Sequence, residues 1–483
     1  MTGREAPRVA VVGGGIAGMA AAVVLAERGI RVTVLEREMG LGGRAGAFPV
    51  RLATGETVQM DRGFHAFFRQ YYNLRALLRR ISPDLDLLQP LDDYPVLGTG
   101  GAQQSFARLP RRAPWNIVSL TWRTPSLTLA ALRRVRLRSA LSMLAFDAER
   151  TYERHDRRSA TEYLDSLRFP PDARQLLFDV FAHSFFNPEG GMSAAELLMM
   201  FHFYFTGNPE GLPFDVARQP FSTGIWEPMR RYVEERGATV RTDTQVRGIR
   251  REAGSWAIET GGEADPVAAD AVVLALDVAG LKRLLPATPF DRGDWAARVR
   301  ALETTLPFAV WRLWLDRPIA AERAPFAGTA GFPLLDNISL FHLFEDESRA
   351  WADGHGGSVV ELHAYAVPDG TTEQELRTAM LRGLHQLYPE TRDARPLDEV
   401  YLLRDDCPAF APGSRAGRPG VETPHAGIYL AGDFVRIEQP SALMERAAAS
   451  GIAAANAILA GNGLRPEPLA SIRPRGILPS AAA

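Results

Sequence analysis

Three glycines and four ionisable side chains carry the chemistry legible in this chain. Gly13, Gly15 and Gly18 stand at the G-x-G-x-x-G spacing of a dinucleotide-binding turn. One glycine serves the tight turn, one lets the backbone approach a pyrophosphate, and one packs helix against strand. Glu36, about 20 residues further on, is placed to accept from a ribose hydroxyl. Asp433 ends the run Gly427-Ile-Tyr-Leu-Ala-Gly-Asp433, and a carboxylate at a strand end beside a helix N-terminus can hold another hydroxyl of the same ligand. His65 and Asp61, in Met60-Asp-Arg-Gly-Phe-His65, are candidate proton acceptors, although both also fit buried structural roles.

Positioning these residues takes elements that the pattern predicts. Val9 to Val12 read as a strand, Ile16 to Arg28 as a helix closed by Gly29, and Arg31-Val-Thr-Val-Leu35 as a second strand. A pyrophosphate would sit on that helix N-terminus. Gly224 to Gly237 reads as a helix after a turn, Ala238 to Val246 as a strand, and Asp270 to Leu276 as a buried strand of a parallel sheet. The run from Ser441 to Gly451 leads into an alanine-rich helix, so the two ends of the chain supply matching halves of one site.

Composition narrows the class. At 483 residues and 46% hydrophobic content, the chain is globular and long enough for two interleaved domains. A formal net charge of −2 gives no global attraction to nucleic acid. Cys407 is the only cysteine, which excludes a disulfide framework and cysteine-based zinc or iron–sulfur sites, and fits a reducing cytoplasm. The N-terminus lacks a signal pattern, and no apolar run is long enough to span a membrane.

The middle of the chain is apolar and aromatic. Ala66 to Arg75 suits a wall beside a flat ligand, and Phe178 to Asn187, which contains His183, together with Leu197 to Phe205, suits an adaptable apolar tunnel or ordinary helix core. Pro114 to Trp122 brings two tryptophans, and Leu127 to Phe146 reads as a helix with Arg133, Arg134, Arg136 and Arg138 clustered. Such a segment lies on a lipid surface or presents a solvated charged face. Phe308 to Leu315, Ile338 to Phe344 and Ser358 to Tyr365 read as strands with one face buried, partnered by a helix over Thr372 to Leu387. The Pro- and Ala-rich tail after Gly461 is expected to be loose.

Leu41-Gly-Gly-Arg-Ala-Gly46, a second glycine cluster with one arginine, is either a surface loop or a second cofactor motif. Paired with the first fingerprint it resembles FAD-binding proteins of the amine-oxidase-like and carotene-desaturase-like kind. Asp61 to Arg75, Glu361-Leu-His-Ala-Tyr365 and Gly432-Asp-Phe434 extend this. With them, nearly the whole chain resembles the carotenoid aromatic-ring synthases, a branch of the carotene desaturase superfamily.

The resemblance implies an α/β fold like that of amine oxidases and phytoene desaturases. A discontinuous Rossmann-type FAD-binding domain would span 1–75, 216–280 and 404–462, with an α+β substrate domain at 76–215 and 281–403 and a tail at 463–483. It implies FAD bound by Gly13, Gly15, Ala17, Gly18, Glu36, Arg37, Gly43, Arg44, Met60, Asp61, Val246, Asp433 and Met444. Gly43 and Arg44 would lie along the pyrophosphate and ribityl chain, Val246 would meet the adenine side, and Asp433 would hold a ribityl hydroxyl.

It further implies a reaction on the β-ionone rings of β-carotene: each loses four hydrogens while one methyl moves from C1 to C2, giving an aromatic φ-ring. The enzyme would sit peripherally on the cytoplasmic membrane face, use an unidentified electron acceptor, and need neither metal nor nucleic acid. Plain carotene desaturation and amine oxidation are the alternatives that keep the flavin, and a carotenoid-binding protein is the non-enzymatic one. The proton acceptor stays open among His65, Asp61 and His183.

Overall fold

The computed structural model describes residues 6–478 except 92, 102, 108, 124–140, 142, 169–173, 175–185 and 263–264. His183 and most of the arginine-rich stretch from Leu127 to Phe146 lie outside the described residues. A five-stranded parallel sheet takes its strands, in spatial order, from Thr239–Arg241, Arg31–Leu35, Arg8–Val12, Ala271–Leu274 and Ile428–Leu430. Its central strands are apolar on both faces, as a sheet covered on both sides requires. The helix Ile16–Ala26 is buried nearly all round, because it lies between this sheet and the long helix Leu443–Gly461. Gly451 permits that crossing, since a Cβ there would run into the Ala17 carbonyl oxygen.

A second sheet of seven strands takes the order Pro396–Arg404, Phe308–Leu315, Ser358–Ala364, Asn337–Leu340, Phe326–Ala330, Val96–Gly98, Gln103–Gln104. The sequence pattern predicted one buried face here, and the structure corrects this: every residue of Phe308–Leu315 and of Ser358–Ala364 is buried. One face packs on the helix Glu373–Leu387, which begins at a Thr372–Glu375 capping box. The other is covered by the hairpin Ala47–Arg51/Thr57–Asp61 and the helix Asp346–His355. The strand predicted from Ile338 to Phe344 ends at Leu340 and turns into a short 3₁₀ segment.

The tail is a further correction. Up to residue 478 it is strapped to the body rather than loose. Glu467 bridges Arg28 and Arg80, Asn73 exchanges hydrogen bonds with Ala470, and the Arg473 carbonyl meets His202 Nε2 at 2.7 Å. Partly buried arginines need a carboxylate partner, and Glu467 supplies one. No helix among the described residues is long and apolar enough to cross a membrane.

Candidate active site

One cavity of about 910 Å³ runs from the mouth of the parallel sheet to the face of the seven-stranded sheet. Its first arm is made by backbone. Gly13 has φ +106° and lies so close to Ala275 that a Cβ would strike that residue's carbonyl, while a Cβ on Gly18 would strike the Gly13 carbonyl. Gly15 caps the helix Ile16–Ala26 with no side-chain partner, and a Cβ on it would meet only Gly42 O and Gly43 Cα, at 3.8 and 4.0 Å. Open space is thereby left at a helix N-terminus, where the first amides have no partner within the helix, and this suits an anion.

Glu36 is held in this arm by the Gly14 and Glu38 amides, which donate to its two carboxylate oxygens at 2.7 and 2.8 Å. Across the arm Arg44 donates to Asp433 Oδ1 at 2.6 Å. Trp226 Nε1 donates to the Ala45 carbonyl at 2.6 Å and fills the space a side chain at Gly42 would need, so the indole buttresses the second glycine loop. Cys407 lines the cavity beside Arg44, and burial pushes its thiol up to about 12.

The second arm is made by side chains. Phe64 and Phe326 stack at 4.4 Å between ring centroids, Phe214 meets both edge-on, and Phe186 stands edge-on to Tyr365 at 4.7 Å. A polar chain crosses this wall. Arg312 lies directly opposite Glu361 in the antiparallel register, and its Nε donates to Glu361 Oε2 at 2.8 Å. Glu361 Oε1 meets His363 Nε2 at 2.7 Å, His363 Nδ1 meets the Tyr365 hydroxyl at 2.9 Å, and Asn337 Nδ2 donates to that hydroxyl at 2.8 Å. Burial works against the Glu361 charge, but Arg312 and His363 outweigh it and hold its carboxyl below the usual range. An ionised carboxylate only accepts, so His363 carries its proton on Nε2 and Nδ1 accepts from Tyr365.

His65 donates from Nδ1 to the Gly63 carbonyl at 2.8 Å, since a carbonyl can only accept. Burial pushes the imidazole down to about 4, leaving it neutral near pH 7. Asp61 sits behind the wall and accepts from the Phe221 amide at 2.9 Å. Burial first, then the neighbouring Glu345, push its carboxyl well above the usual range.

The chain matches the flavin containing amine oxidoreductase family over residues 16–459. It belongs to that family. A carotenoid phi-ring synthase of Streptomyces griseus is 50% identical over 467 residues, covering 96% of this chain and 90% of that one. A second, from Chlorobaculum tepidum, is 28% identical over 97% of this chain and 91% of its own length. The solved cyclohexylamine oxidase from Brevibacterium oxydans shares the fold at TM-score 0.68 and 14% identity, covering 95% of this chain and 100% of that one.

Flavoproteins of this family bind FAD, and the first arm fits it. The cradle at Gly15 suits the pyrophosphate, Glu36 a ribose hydroxyl, and the Arg44–Asp433 pair the chain beyond. Of the expected residues, Gly13, Gly15, Ala17, Glu36, Arg37, Gly43, Arg44, His65, Val246, Asp433 and Met444 all line the one cavity. Gly18 lies just behind the turn it packs. Met60 and Asp61 depart from expectation: Met60 is fully buried in the core of the hairpin, and neither residue is part of the cavity wall. Alternation along Thr57–Asp61 could not show which layer that hairpin faces. His363, Tyr365 and Asn337 were not singled out as site residues, although the spacing of 361, 363 and 365 already places them on one side of a strand.

Proposed function

We propose that this chain is a FAD-dependent carotenoid φ-ring synthase, acting on the β-ionone end groups of β-carotene. The observation that carries the reading is the single cavity joining the dinucleotide turn to an aromatic chamber, in a chain half identical to a phi-ring synthase along its length. FAD supplies the two-electron acceptor for each dehydrogenation. Phe64, Phe214 and Phe326 present ring faces and edges that hold a flat apolar end group and stabilise positive charge developing on it. Such a wall also keeps water from a substrate cation while the methyl migrates. Two dehydrogenations per ring call for an electron acceptor between them.

His65, with Nε2 free of its Gly63 bond, stays a proton-acceptor candidate, whereas Asp61 is placed to position the wall rather than touch substrate. A water-insoluble substrate calls for a peripheral seat on the cytoplasmic membrane face. The helix Trp115–Arg123 supports one: Trp115 and Trp122 are 65% and 88% exposed with Val118 between them, while Leu120 faces inward and lines the cavity.

Expression in cells that accumulate β-carotene tests the proposal by chromatography, mass and NMR of the pigments. The expected product is four hydrogens lighter per converted ring, retains every carbon, and shows a trimethylphenyl pattern. Unchanged β-carotene beside a flavin-loaded protein would overturn the reading, and a lighter product with both C1 methyls in place would make it a desaturase.

A further inference from the structure

We infer that Tyr365 takes the proton that the end group gives up on aromatisation, with His363 and Glu361 behind it as a relay; this rests on the ring-aromatising reading above. Tyr365 is half-buried in the cavity wall, where its hydroxyl already donates to His363 Nδ1 at 2.9 Å. Asn337 donates to the same oxygen at 2.8 Å, which turns the O–H toward His363 and supports negative charge on the oxygen as it transfers. Behind the imidazole, Glu361 is fixed by Arg312. Gly63, at φ +123°, presses on the other side of the ring, since a Cβ there would stand 3.2 Å from His363 Cε1. The two stretches Asp61 to Arg75 and Glu361 to Tyr365 thus meet here, Phe64 N lying 3.4 Å from His363 Nε2.

The step balances. A C–H bond beside the cationic ring carbon breaks, and its electron pair stays as the new ring double bond. The proton goes to the Tyr365 oxygen while the phenol's own proton moves to His363 Nδ1. The charge that was on the substrate becomes an imidazolium paired with Glu361. FAD, when bound, would supply the acceptor for the hydride of the same dehydrogenation. Of the competing groups among the described residues, neither has this arrangement: Asp61 is outside the cavity wall, and His65 has a carbonyl behind it rather than a carboxylate.

The test uses the purified, FAD-loaded chain with β-carotene in liposomes and an added quinone as electron acceptor, each variant checked for flavin absorbance and thermal unfolding. Tyr365→Phe is expected to keep its flavin and lose aromatic product by 10²-fold or more, on the order of what a positioned acid–base group contributes. His363→Ala is expected to lose a comparable amount and to regain activity several-fold with added imidazole, a response that a merely structural role would not give. Flavin-loaded Tyr365→Phe making product within about threefold of the parent would overturn the relay, as would flavin-loaded His363→Ala that imidazole cannot rescue. Should the parent itself leave β-carotene unchanged, the reading falls and the relay with it; a working parent beside a working Tyr365→Phe fells the relay alone.

Discussion

The parallel sheet and the seven-stranded sheet border the same cavity and build it by opposite means. At the parallel sheet the site is backbone: positive φ at Gly13 and Gly42, close approach at Gly18, and amides that hold Glu36. At the seven-stranded sheet it is side chains, with Arg312, Glu361, His363, Tyr365 and Asn337 brought together by strand register. A backbone site fails when a side chain intrudes. A side-chain site fails when one member of a buried charge set is removed, because the partner is left without compensation.

The largest effect tests the first half of this contrast. Gly18→Val is expected to purify colourless and make no product, because the new side chain collides with the Gly13 carbonyl; full flavin retention would show that the helix can shift. The second half is tested by Arg312→Met, which leaves Glu361 charged and buried at a cost of about 3–5 kcal/mol in denaturant unfolding. Adding Glu361→Leu should return most of that stability, and a double variant no better than the single would break the account.

A smaller effect comes from Glu196, buried between Arg418 and Arg446. Burial opposes its charge, but the two arginines outweigh it and bring the carboxyl from 4.5 down to about 2. Its folded value is depressed, so the stability it adds is present above about pH 4.5 and lost as pH falls toward 2, on the order of 3 kcal/mol in all. Glu196→Gln should flatten the stability profile across that window. The smallest change in folding is expected for Trp122→Ser, within about 0.5 kcal/mol, although co-sedimentation with carotenoid-bearing liposomes should drop. Unaltered co-sedimentation would remove this helix from the membrane surface.

The same contrast explains what was legible in the sequence. The turn at Gly13, Gly15 and Gly18 and the place of Glu36 beside it were legible because a turn and its adjoining strand lie within one short stretch. Asp433 could be paired with them because a strand followed by Gly-Asp is itself a local pattern. Glu361, His363 and Tyr365 share a spacing the sequence shows, but Arg312 and Asn337 could not be joined to them, since Arg312 opposite Glu361 and Asn337 opposite His363 are facts of register. Nor does anything local tell which layer covers the hairpin of Met60 and Asp61, two residues that the cavity wall does not include. The tail's composition suggested looseness, and only its distant partners Arg28, Arg80 and Asn73 show otherwise.

Strand order in the parallel sheet also sets a timetable for synthesis. Arg8–Val12 and Arg31–Leu35 pair early, but their outer neighbours, Ala271–Leu274 and Thr239–Arg241, are encoded far downstream. At about 5–20 residues per second, the roughly 200 intervening residues leave both edges of that first pair open for on the order of 10–40 s. An open apolar edge is a template for pairing with the wrong chain, so the nascent protein needs shielding over that interval. Asp433 and the helix that follows it emerge later still. The cavity that suits a flavin is therefore complete only once both have been made, because the partner of Arg44 and the helix packed on Ile16–Ala26 come from this late stretch.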